Sequence, residues 1–229
     1  MAHAFPSFIA PRALAFAIAA AVPAAASAQA AGSWLVRLGA TQIQPQVTSG
    51  DLSTPSKPGT RIDVRSDTQP TAGVTYLWSD QLALDLPLSA GFRHDVTGDG
   101  AIAGAGKLAE VNALPVTLLV QWRFGAASST LRPYVGIGPT YAYFYEPRST
   151  PTLTAITGGT PGRPTLLEMK SKLTVTAQLG LAWTFMPRWA LDVAVMKTPL
   201  KTTGTLSTGQ TIETKLDPVS AHVGVAYRF

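Results

Sequence analysis

Hydrophobic and polar side chains alternate along eight stretches of this chain, with the period of two residues that is typical of β-strands. The third stretch shows the pattern most clearly, because even positions from Leu82 to Phe92 are apolar and odd positions include Asp85 and Arg93. A strand that alternates in this way presents one apolar and one polar face. The eight stretches run approximately over residues 34–44, 70–78, 82–93, 114–124, 132–145, 173–185, 189–197 and 219–229.

The connections between these stretches alternate in length. Three are short, at residues 79–81, 125–131 and 186–188, and four are long and rich in Thr, Gly, Pro and Ser. An even number of strands with alternating short and long connections is typical of bacterial outer-membrane barrels. We therefore predict an all-β fold, an eight-stranded antiparallel transmembrane β-barrel with short periplasmic turns and four long outer loops. The long loops are predicted at approximately 45–69, 94–113, 146–172 and 198–218.

The first 28 residues have the organisation of a secretion signal. Arg12 precedes an apolar run from Ala13 to Ala25, and Ala26-Ser27-Ala28 forms a small-x-small cleavage pattern. The apolar run is shorter than the roughly 20 residues that a membrane-spanning helix needs. We predict a signal peptide over residues 1–28, export, and one outer-membrane β-barrel domain over residues 29–229.

Composition and charge exclude some partners. The chain has no cysteine, so no disulfide stabilises the fold. Of 18 basic and 13 acidic residues, only Arg12 falls in the predicted signal, which leaves 17 − 13 = +4 on the exported chain. The basic residues are scattered and do not cluster with aromatic residues, which argues against nucleic acid. They favour contact with outer-membrane lipid and anionic lipopolysaccharide.

Aromatic residues collect at one end of the predicted barrel. All five tryptophans begin or end a strand at the predicted periplasmic rim, and the chain closes on an alternating strand that ends in an aromatic residue. Such rings are typical of the headgroup level of a membrane. A soluble sandwich or lipocalin-like barrel also alternates, but it would cluster these residues only by coincidence. The predicted aromatic girdle is Trp34, Trp78, Trp122, Trp183, Trp189, Tyr227 and Phe229. We also expect the barrel-assembly machinery to recognise the C-terminal strand.

Inward-facing positions near the periplasmic end carry charge. Eight strands enclose a space that side chains nearly fill or that holds one small ligand. We expect opposite charges to pair and to close the base of the lumen, since buried charges need partners. The predicted lumen base contains Arg37, Asp85, Arg123, Asp192 and Arg228, with Gln121 beside them. Smaller inward residues higher up, such as Thr140 and Thr176, leave room for a narrow pocket open to the outside.

Prolines interrupt otherwise regular strands at Pro87, Pro115 and Pro139. Proline removes a hydrogen-bond donor from the ladder and is normally kept from central strands. If the third and fourth strands pair symmetrically, Pro87 and Pro115 lie at similar heights on neighbouring strands. One hypothesis is a lateral portal, a weakened ladder through which an apolar ligand leaves into the membrane. The alternative is a pair of bulges or kinks that only shape the barrel.

Several segments, taken in order, resemble the OmpW family of small outer-membrane proteins across nearly the whole exported chain. The resemblance implies an eight-stranded barrel with a narrow channel for small hydrophobic molecules, and use as a receptor for bacteriocins or phages. The loop at 146–172 is, by contrast, expected to be poor in large apolar groups. The matching segments are Trp34-Leu-Val-Arg37-Leu-Gly39, Val74-Thr-Tyr76-Leu-Trp78-Ser-Asp80, Leu114-Pro115-Val-Thr117, Arg132-Pro133-Tyr134-Val-Gly136-Ile-Gly138, Leu216-Asp217-Pro218 and Val223-Gly224-Val-Ala-Tyr227-Arg228-Phe229.

Two functions remain open. One is a passive narrow channel or receptor for small hydrophobic molecules. The other is a structural or surface-interaction barrel that contacts phage, bacteriocin or host without transport, and a fully packed lumen would favour it. A possible nucleophile, base and acid lie at inward-facing strand positions, namely Ser220, His222 and Asp192. That spacing arises readily by chance, so we predict no enzyme, and we expect no metal site or cofactor.

Overall fold

A computed structural model describes residues 31–229, which form fifteen β-strands and one short helix. The predicted signal peptide lies outside these residues. No helix in 31–229 is long and apolar enough to cross a membrane. The elements are β1 (Trp34–Gln44), β2 (Thr48–Ser49), β3 (Thr60–Val64), β4 (Asp67–Leu77), β5 (Leu82–Ser89), β6 (Phe92–Gly100), β7 (Lys107–Thr117), β8 (Leu119–Arg123), β9 (Leu131–Ser149), α1 (Pro151–Ile156), β10 (Leu167–Met169), β11 (Lys172–Met186), β12 (Trp189–Lys197), β13 (Lys201–Leu206), β14 (Thr211–Lys215) and β15 (Val219–Arg228).

Eight of the strands close into an antiparallel barrel, in the order β1, β4, β5, β8, β9, β11, β12, β15 and back to β1. Closure gives each of these eight strands a hydrogen-bonded neighbour on both sides, as a bilayer demands. Gly39 lies where β1 and β15 approach closely, since a Cβ atom there would meet the Val223 carbonyl oxygen at 2.1 Å. The predicted eight-stranded antiparallel barrel is confirmed.

The two faces of the wall differ as the alternation predicts. Outward side chains such as Leu38, Ile137 and Leu179 are at least 60% exposed, whereas inward Thr75 and Asp85 are fully buried. Large apolar residues on the outside of a closed wall suit lipid rather than water. The polar residues are therefore left to line the lumen.

The third and fourth predicted strands are not continuous. The third breaks at Ala90 and Gly91 into β5 and β6, and Gly91 has a φ of +106°, which favours glycine. The fourth starts earlier than predicted, at Lys107, and breaks at Leu118 into β7 and β8. β6 and β7 extend the wall outward as a hairpin, with β3 paired on β6.

The long outer loops contain regular structure and an apolar cluster of their own. Strands β10, β13, β14 and β2 form a second sheet, and α1 begins at an N-cap, Thr150, whose side chain accepts a hydrogen bond from the Leu153 N–H. The prediction that loop 146–172 is poor in large apolar groups is wrong. Its apolar residues are interspersed with Thr, Gly and Pro and show no clear period, so the local sequence does not reveal the cluster that they form with other loops. The cluster contains Leu52, Val96, Leu108, Ala109, Val111, Leu153, Leu167, Leu206 and Ile212, with Ile156 and Met169 packed against it.

Candidate functional site

A layer of buried charged and polar side chains closes the periplasmic end of the lumen. At its centre, Arg37 on β1 donates to both carboxylate oxygens of Asp85, at 2.7 and 2.9 Å, and lies 3.4 Å from Asp192. The Thr75 hydroxyl donates to Asp85 at 2.6 Å, and the Tyr134 hydroxyl donates to Asp192 at 2.9 Å. Each carboxylate thus has a cation and a neutral donor. This layer, called the base below, comprises Arg37, Asp85, Gln121, Arg123, Arg132, Tyr134 and Asp192, all at most 4% exposed.

Neutral groups and an aromatic face complete the base around Arg123. Its guanidinium lies 4.8 Å from the centre of the Tyr134 ring and donates to Gln121 at 3.1 Å. Gln121 in turn donates to Gln178 at 2.8 Å. A guanidinium over an aromatic ring is attracted by the negative ring face. The base therefore joins side chains from β1, β5, β8, β9 and β12 into one plug.

The structure places four of the five predicted base residues together and separates the fifth. Arg228 lies at the rim, where it is part-exposed and donates to the Pro187 carbonyl at 3.3 Å, so its predicted place in the base is wrong. The inward parity of Arg228 is correct, but β15 ends there and the side chain bends to the neighbouring turn. Arg132, which donates to the Asp80 carbonyl, and Tyr134 belong to the base and were missed. Both lie at even positions of β9, like the inward-facing Gly136 and Gly138. This alternation would have identified them as inward-facing residues.

Missing side chains make room for the plug. A Cβ atom on Gly180 would lie 2.2 Å from the Tyr134 ring, and one on Gly73 would lie 2.7 Å from the Arg37 guanidinium. A side chain at Gly180 would displace the Tyr134 ring, and one at Gly73 would displace the Arg37 guanidinium. The Tyr134 ring and the Arg37 guanidinium thus pack directly against the backbone of the neighbouring strands.

Above the base the lumen holds a cavity of about 130 Å³. On the same measure one water molecule needs roughly 10–15 Å³, so the space accepts a small ligand. The lower wall is rich in hydroxyl groups and contains Thr41, Thr117, Thr140, Thr176 and His222. The upper wall is apolar and contains Val111, Phe144, Met169, Leu200 and Leu216.

The wall beside this cavity has a break in its hydrogen-bond ladder. Strand β5 pairs with β8 only up to Asp85 and Leu119, and pairing resumes above, between Phe92 and Ala113. Across this gap, no residue in 86–91 is paired with a residue in 114–118. An unpaired stretch within a membrane wall is unusual, because lipid cannot satisfy its backbone groups.

Both predicted portal prolines border this gap. Pro87 is in register with Gly73 on its other side, and Pro115 with Ala142, so each remains attached to the rest of the barrel. The cavity is lined by both prolines and also by Leu88, an outward-facing side chain that is 43% exposed. The cavity lining therefore includes residues of both faces of β5.

A tyrosine spans the upper end of the gap from outside. Tyr145 on β9 reaches across β7 and donates its hydroxyl to the Ala90 carbonyl at 3.2 Å. A Cβ atom on Gly91 would lie 2.3 Å from that hydroxyl, so glycine makes the contact possible. Tyr145 stacks on Tyr143, and Tyr143 on Tyr141, with centroids 5.7 and 6.4 Å apart. These rings form an aromatic row on the outer face beside the gap.

The predicted girdle residues lie at strand ends, all at the end of the barrel where the short turns are. All five tryptophans and Phe229 are between 42% and 70% exposed. Tyr227 is part-buried, with its ring centroid 4.7 Å from Trp189 and 4.9 Å from Phe229. This end of the barrel therefore presents a band of large rings to its surroundings.

The possible catalytic set is not assembled. Asp192 is bonded to Arg37 and Tyr134, and His222 Nδ1 lies 3.0 Å from the Thr41 hydroxyl. Among the contacts of the described residues, none joins Ser220 to His222. Within residues 31–229 there is also no group of three or more His, Cys, Asp or Glu side chains placed to hold a metal ion.

One aspartate holds the apolar roof of the cavity. Asp217 accepts the Leu200 N–H at 2.8 Å and lies 3.0 Å from the Lys215 ammonium. Partial burial acts to raise the pKa of Asp217, but these two donors outweigh it and hold the pKa below its usual range. Leu200 and Leu216, on either side of this contact, pack with Ala142 over the cavity. The roof therefore depends on an ionised carboxylate.

We expect the roof contact to titrate in acid. Because the folded state lowers the pKa of Asp217, its contribution is complete above the unfolded value of about 3.9 and is lost as pH falls through the lower folded value. The amide proton shift of Leu200, followed by NMR from pH 7 to pH 2, should move with a midpoint below 3.9. The Asp217→Asn variant should show no such step. A step that persists in this variant would assign the titration to another group.

Comparisons with known proteins agree with this architecture. The OmpW family model matches residues 30–229. Outer membrane protein W of Vibrio cholerae serotype O1 is 27% identical over 203 residues, which are 86% of this chain and 89% of the relative. Outer membrane protein W of Salmonella typhi is 30% identical over 211 residues, 89% of this chain and 92% of the relative. The crystal structure of the outer membrane protein OprG from Pseudomonas aeruginosa matches with a TM-score of 0.79 at 25% identity, over 89% of this chain and 98% of that chain.

Proposed function

The chain belongs to the OmpW family of bacterial outer-membrane barrels, and from this premise we propose that it takes up small apolar molecules from outside and releases them sideways into the membrane. The observation that carries the proposal is the gap between residues 86–91 and 114–118, beside a cavity that reaches the lipid-facing Leu88. The transfer is passive, since the movement is from water to an apolar phase.

The closed base supports a lateral route over an axial one. Arg37, Asp85 and Asp192 fill the lumen below the cavity, and an apolar molecule that passed them would have to displace paired charges. The gap begins directly above this level, because Asp85 and Leu119 are the last pair below it. Leu86, Leu88, Val116 and Leu118 face outward there, at 36–51% exposure. A ligand that leaves through the gap meets only apolar surface.

The energetics favour release into lipid. Each methylene group that leaves water for an apolar phase gains about 0.8 kcal/mol, and lumen and lipid offer nearly the same environment. The barrel therefore has to supply only a path through the polar lipopolysaccharide layer. The apolar upper wall of the cavity supports such a path.

We expect the gap to close when its backbone donors are restored. The double variant Pro87→Ala/Pro115→Ala supplies two N–H groups to strands that now lack them, which should extend the ladder across residues 86–91. Amide hydrogen exchange in this stretch should slow, and uptake of 1-N-phenylnaphthylamine by intact cells that express the variant should fall severalfold. The Pro164→Ala variant, in an exposed outer segment, is the matched control. Unchanged uptake in a variant whose exchange has slowed would refute the lateral route.

Single-channel recording in planar bilayers distinguishes the lateral route from an aqueous channel. Folded protein should conduct little or no current, because the base leaves no water-filled path. A conductance that changes on addition of small hydrophobic compounds would instead support an axial channel and contradict the closed base.

The ordered outer end favours a second candidate, a surface-interaction barrel for phage, bacteriocin or host. The sheet of β10, β13, β14 and β2 presents a defined surface that such a partner could bind. Deletion of the turn between β13 and β14 should abolish adsorption and leave probe uptake intact if this candidate is correct. We expect the basic outer residues to contact lipopolysaccharide. We also expect the barrel-assembly machinery to recognise β15. The proposal assigns the protein no catalytic role and no cofactor.

A further inference from the structure

A chain of hydroxyl groups crosses the lower wall of the lumen cavity. Thr117 on β7 bonds to Thr140 on β9 at 2.8 Å, Thr140 to Thr176 on β11 at 2.6 Å, and Thr176 to Thr198 at 2.8 Å. Four hydroxyl groups bring four protons, and the three bonds of the chain use three of them. Every oxygen also keeps acceptor capacity. The chain can therefore both donate to a ligand oxygen and accept a ligand hydroxyl proton.

A second polar group faces the cavity from the β1 side. The Thr41 hydroxyl lies 2.8 Å from that of Thr71 and 3.0 Å from His222 Nδ1. His222 Nε2 is buried without a hydrogen-bond partner, and both Thr41 and His222 line the cavity. The β1 side of the cavity therefore also carries hydroxyl and imidazole groups.

The floor beneath these groups carries no uncompensated charge on the cavity side. Arg37 is the one ionised residue among the described cavity-lining side chains, and it is held by Asp85 at 2.7 Å and by Asp192 at 3.4 Å. The two carboxylates already bind the Arg37 guanidinium, and the other two cations of the base, Arg123 and Arg132, lie outside the cavity lining. A carboxylate head would therefore lose its water without gaining a counter-charge.

The upper part of the same cavity offers mainly apolar contact, with His94 as a polar side chain at the level of Val111. Phe144, Met169, Leu200 and Leu216 line it, and the gap in the wall continues it towards lipid. The cavity is thus divided, with hydroxyl groups at one end and apolar side chains at the other.

We infer that the lumen site binds small neutral amphiphiles, molecules with an apolar body and one uncharged hydroxyl or carbonyl group that bonds to the threonine chain. The inference rests on the proposed function and adds the substrate class. The polar head lies on the lower wall, among Thr117, Thr140, Thr176 and Thr41. The apolar body extends between the upper wall and the gap, ready to pass into lipid.

Equilibrium dialysis of three eight-carbon compounds tests this assignment. Radiolabelled 1-octanol, n-octane and octanoate are dialysed at pH 8 against nanodiscs that contain the protein and against protein-free nanodiscs. The affinity calculated from the excess bound per protein should be about threefold to tenfold higher for 1-octanol than for n-octane. That ratio corresponds to one hydrogen bond in a buried site. Octanoate should bind no better than n-octane.

The variant Thr140→Val/Thr176→Val removes the two central hydroxyl groups while keeping side-chain shape. Its affinity for 1-octanol should fall to that for n-octane, and its affinity for n-octane should not decrease. Thr211→Val makes the same change at an exposed outer position and is the matched control. Mobility in unheated gels shows whether the barrels are folded, and the ranking of ligands on the unmodified protein stands without the variants.

The outcomes separate this inference from the function on which it rests. Equal binding of 1-octanol and n-octane, or tighter binding of octanoate, overturns the neutral polar head and leaves lateral transfer of apolar molecules standing. Binding of none of the three overturns the lumen site and the proposed function together.

Discussion

Replacement of Asp85 by alanine should lower the stability of the folded barrel by about 3–5 kcal/mol, the range observed when one partner of a buried ion pair is removed. Arg37 would keep only the longer contact to Asp192, at 3.4 Å, and would remain buried with less than one full counter-charge. The Thr75 hydroxyl would lose its acceptor as well. Urea unfolding in lipid vesicles, followed by tryptophan fluorescence, should show the transition shifted to clearly lower urea.

Two further variants isolate the cause. Asp51→Ala removes the carboxylate of an exposed ion pair, in which Arg61 and Asp51 lie 2.8 Å apart. This variant should leave the transition unchanged, because solvent screens an exposed pair. Arg37→Met/Asp85→Leu removes both members of the bidentate pair and should recover part of the loss, because Arg37 no longer remains buried without its nearer carboxylate. Asp192 keeps the hydrogen bond from the Tyr134 hydroxyl at 2.9 Å but loses its contact with Arg37. If Asp85→Ala unfolds at the same urea concentration as the unmodified protein, then water reaches the base and stabilises the Arg37 charge.

The Ala113→Trp variant should reduce uptake of 1-N-phenylnaphthylamine by at least about tenfold. Ala113 faces the cavity on β7 at the upper edge of the gap, where it is in register with Phe92. An indole ring there occupies a large part of a cavity of about 130 Å³ and blocks the passage between lumen and lipid. Uptake by intact cells is compared at equal amounts of folded protein in the outer membrane.

The control for this prediction is Ala103→Trp, which adds the same ring to an exposed outer turn. It should leave uptake unchanged. If Ala113→Trp transports the probe as fast as this control, the route does not pass the gap, and an entry elsewhere in the outer end has to be considered.

Alternation predicts the barrel well because each wall residue faces either lipid or lumen. The first strand, Trp34–Gln44, and the seventh, Trp189–Lys197, are found with the predicted bounds. The breaks after Ser89 and at Leu118 were not predicted, since they depend on where β5 and β7 part, a long-range pairing that no local pattern records. The prolines indicated a weakened ladder but not its extent.

The base could be predicted in part. Arg37, Asp85, Arg123 and Asp192 are charged residues at inward positions of clear strands, and such residues must find partners in a narrow lumen. Tyr134 escaped notice because β9 carries tyrosines on its outer face at Tyr141 and Tyr143, which makes an aromatic residue there look lipid-facing. Its even position, shared with Gly136 and Gly138, indicates an inward side chain, but the room for its ring depends on Gly180 on the neighbouring strand, which a local pattern does not show.

The second sheet at the outer end pairs parts of the chain that are far apart in sequence. Thr48 in β2 pairs with Lys215 in β14, and Leu167 in β10 with Leu206 in β13. The surface that a cell would display is therefore discontinuous, and each antibody epitope on it draws on several loops at once. Antisera raised against isolated loop peptides should recognise the denatured protein and bind intact cells poorly.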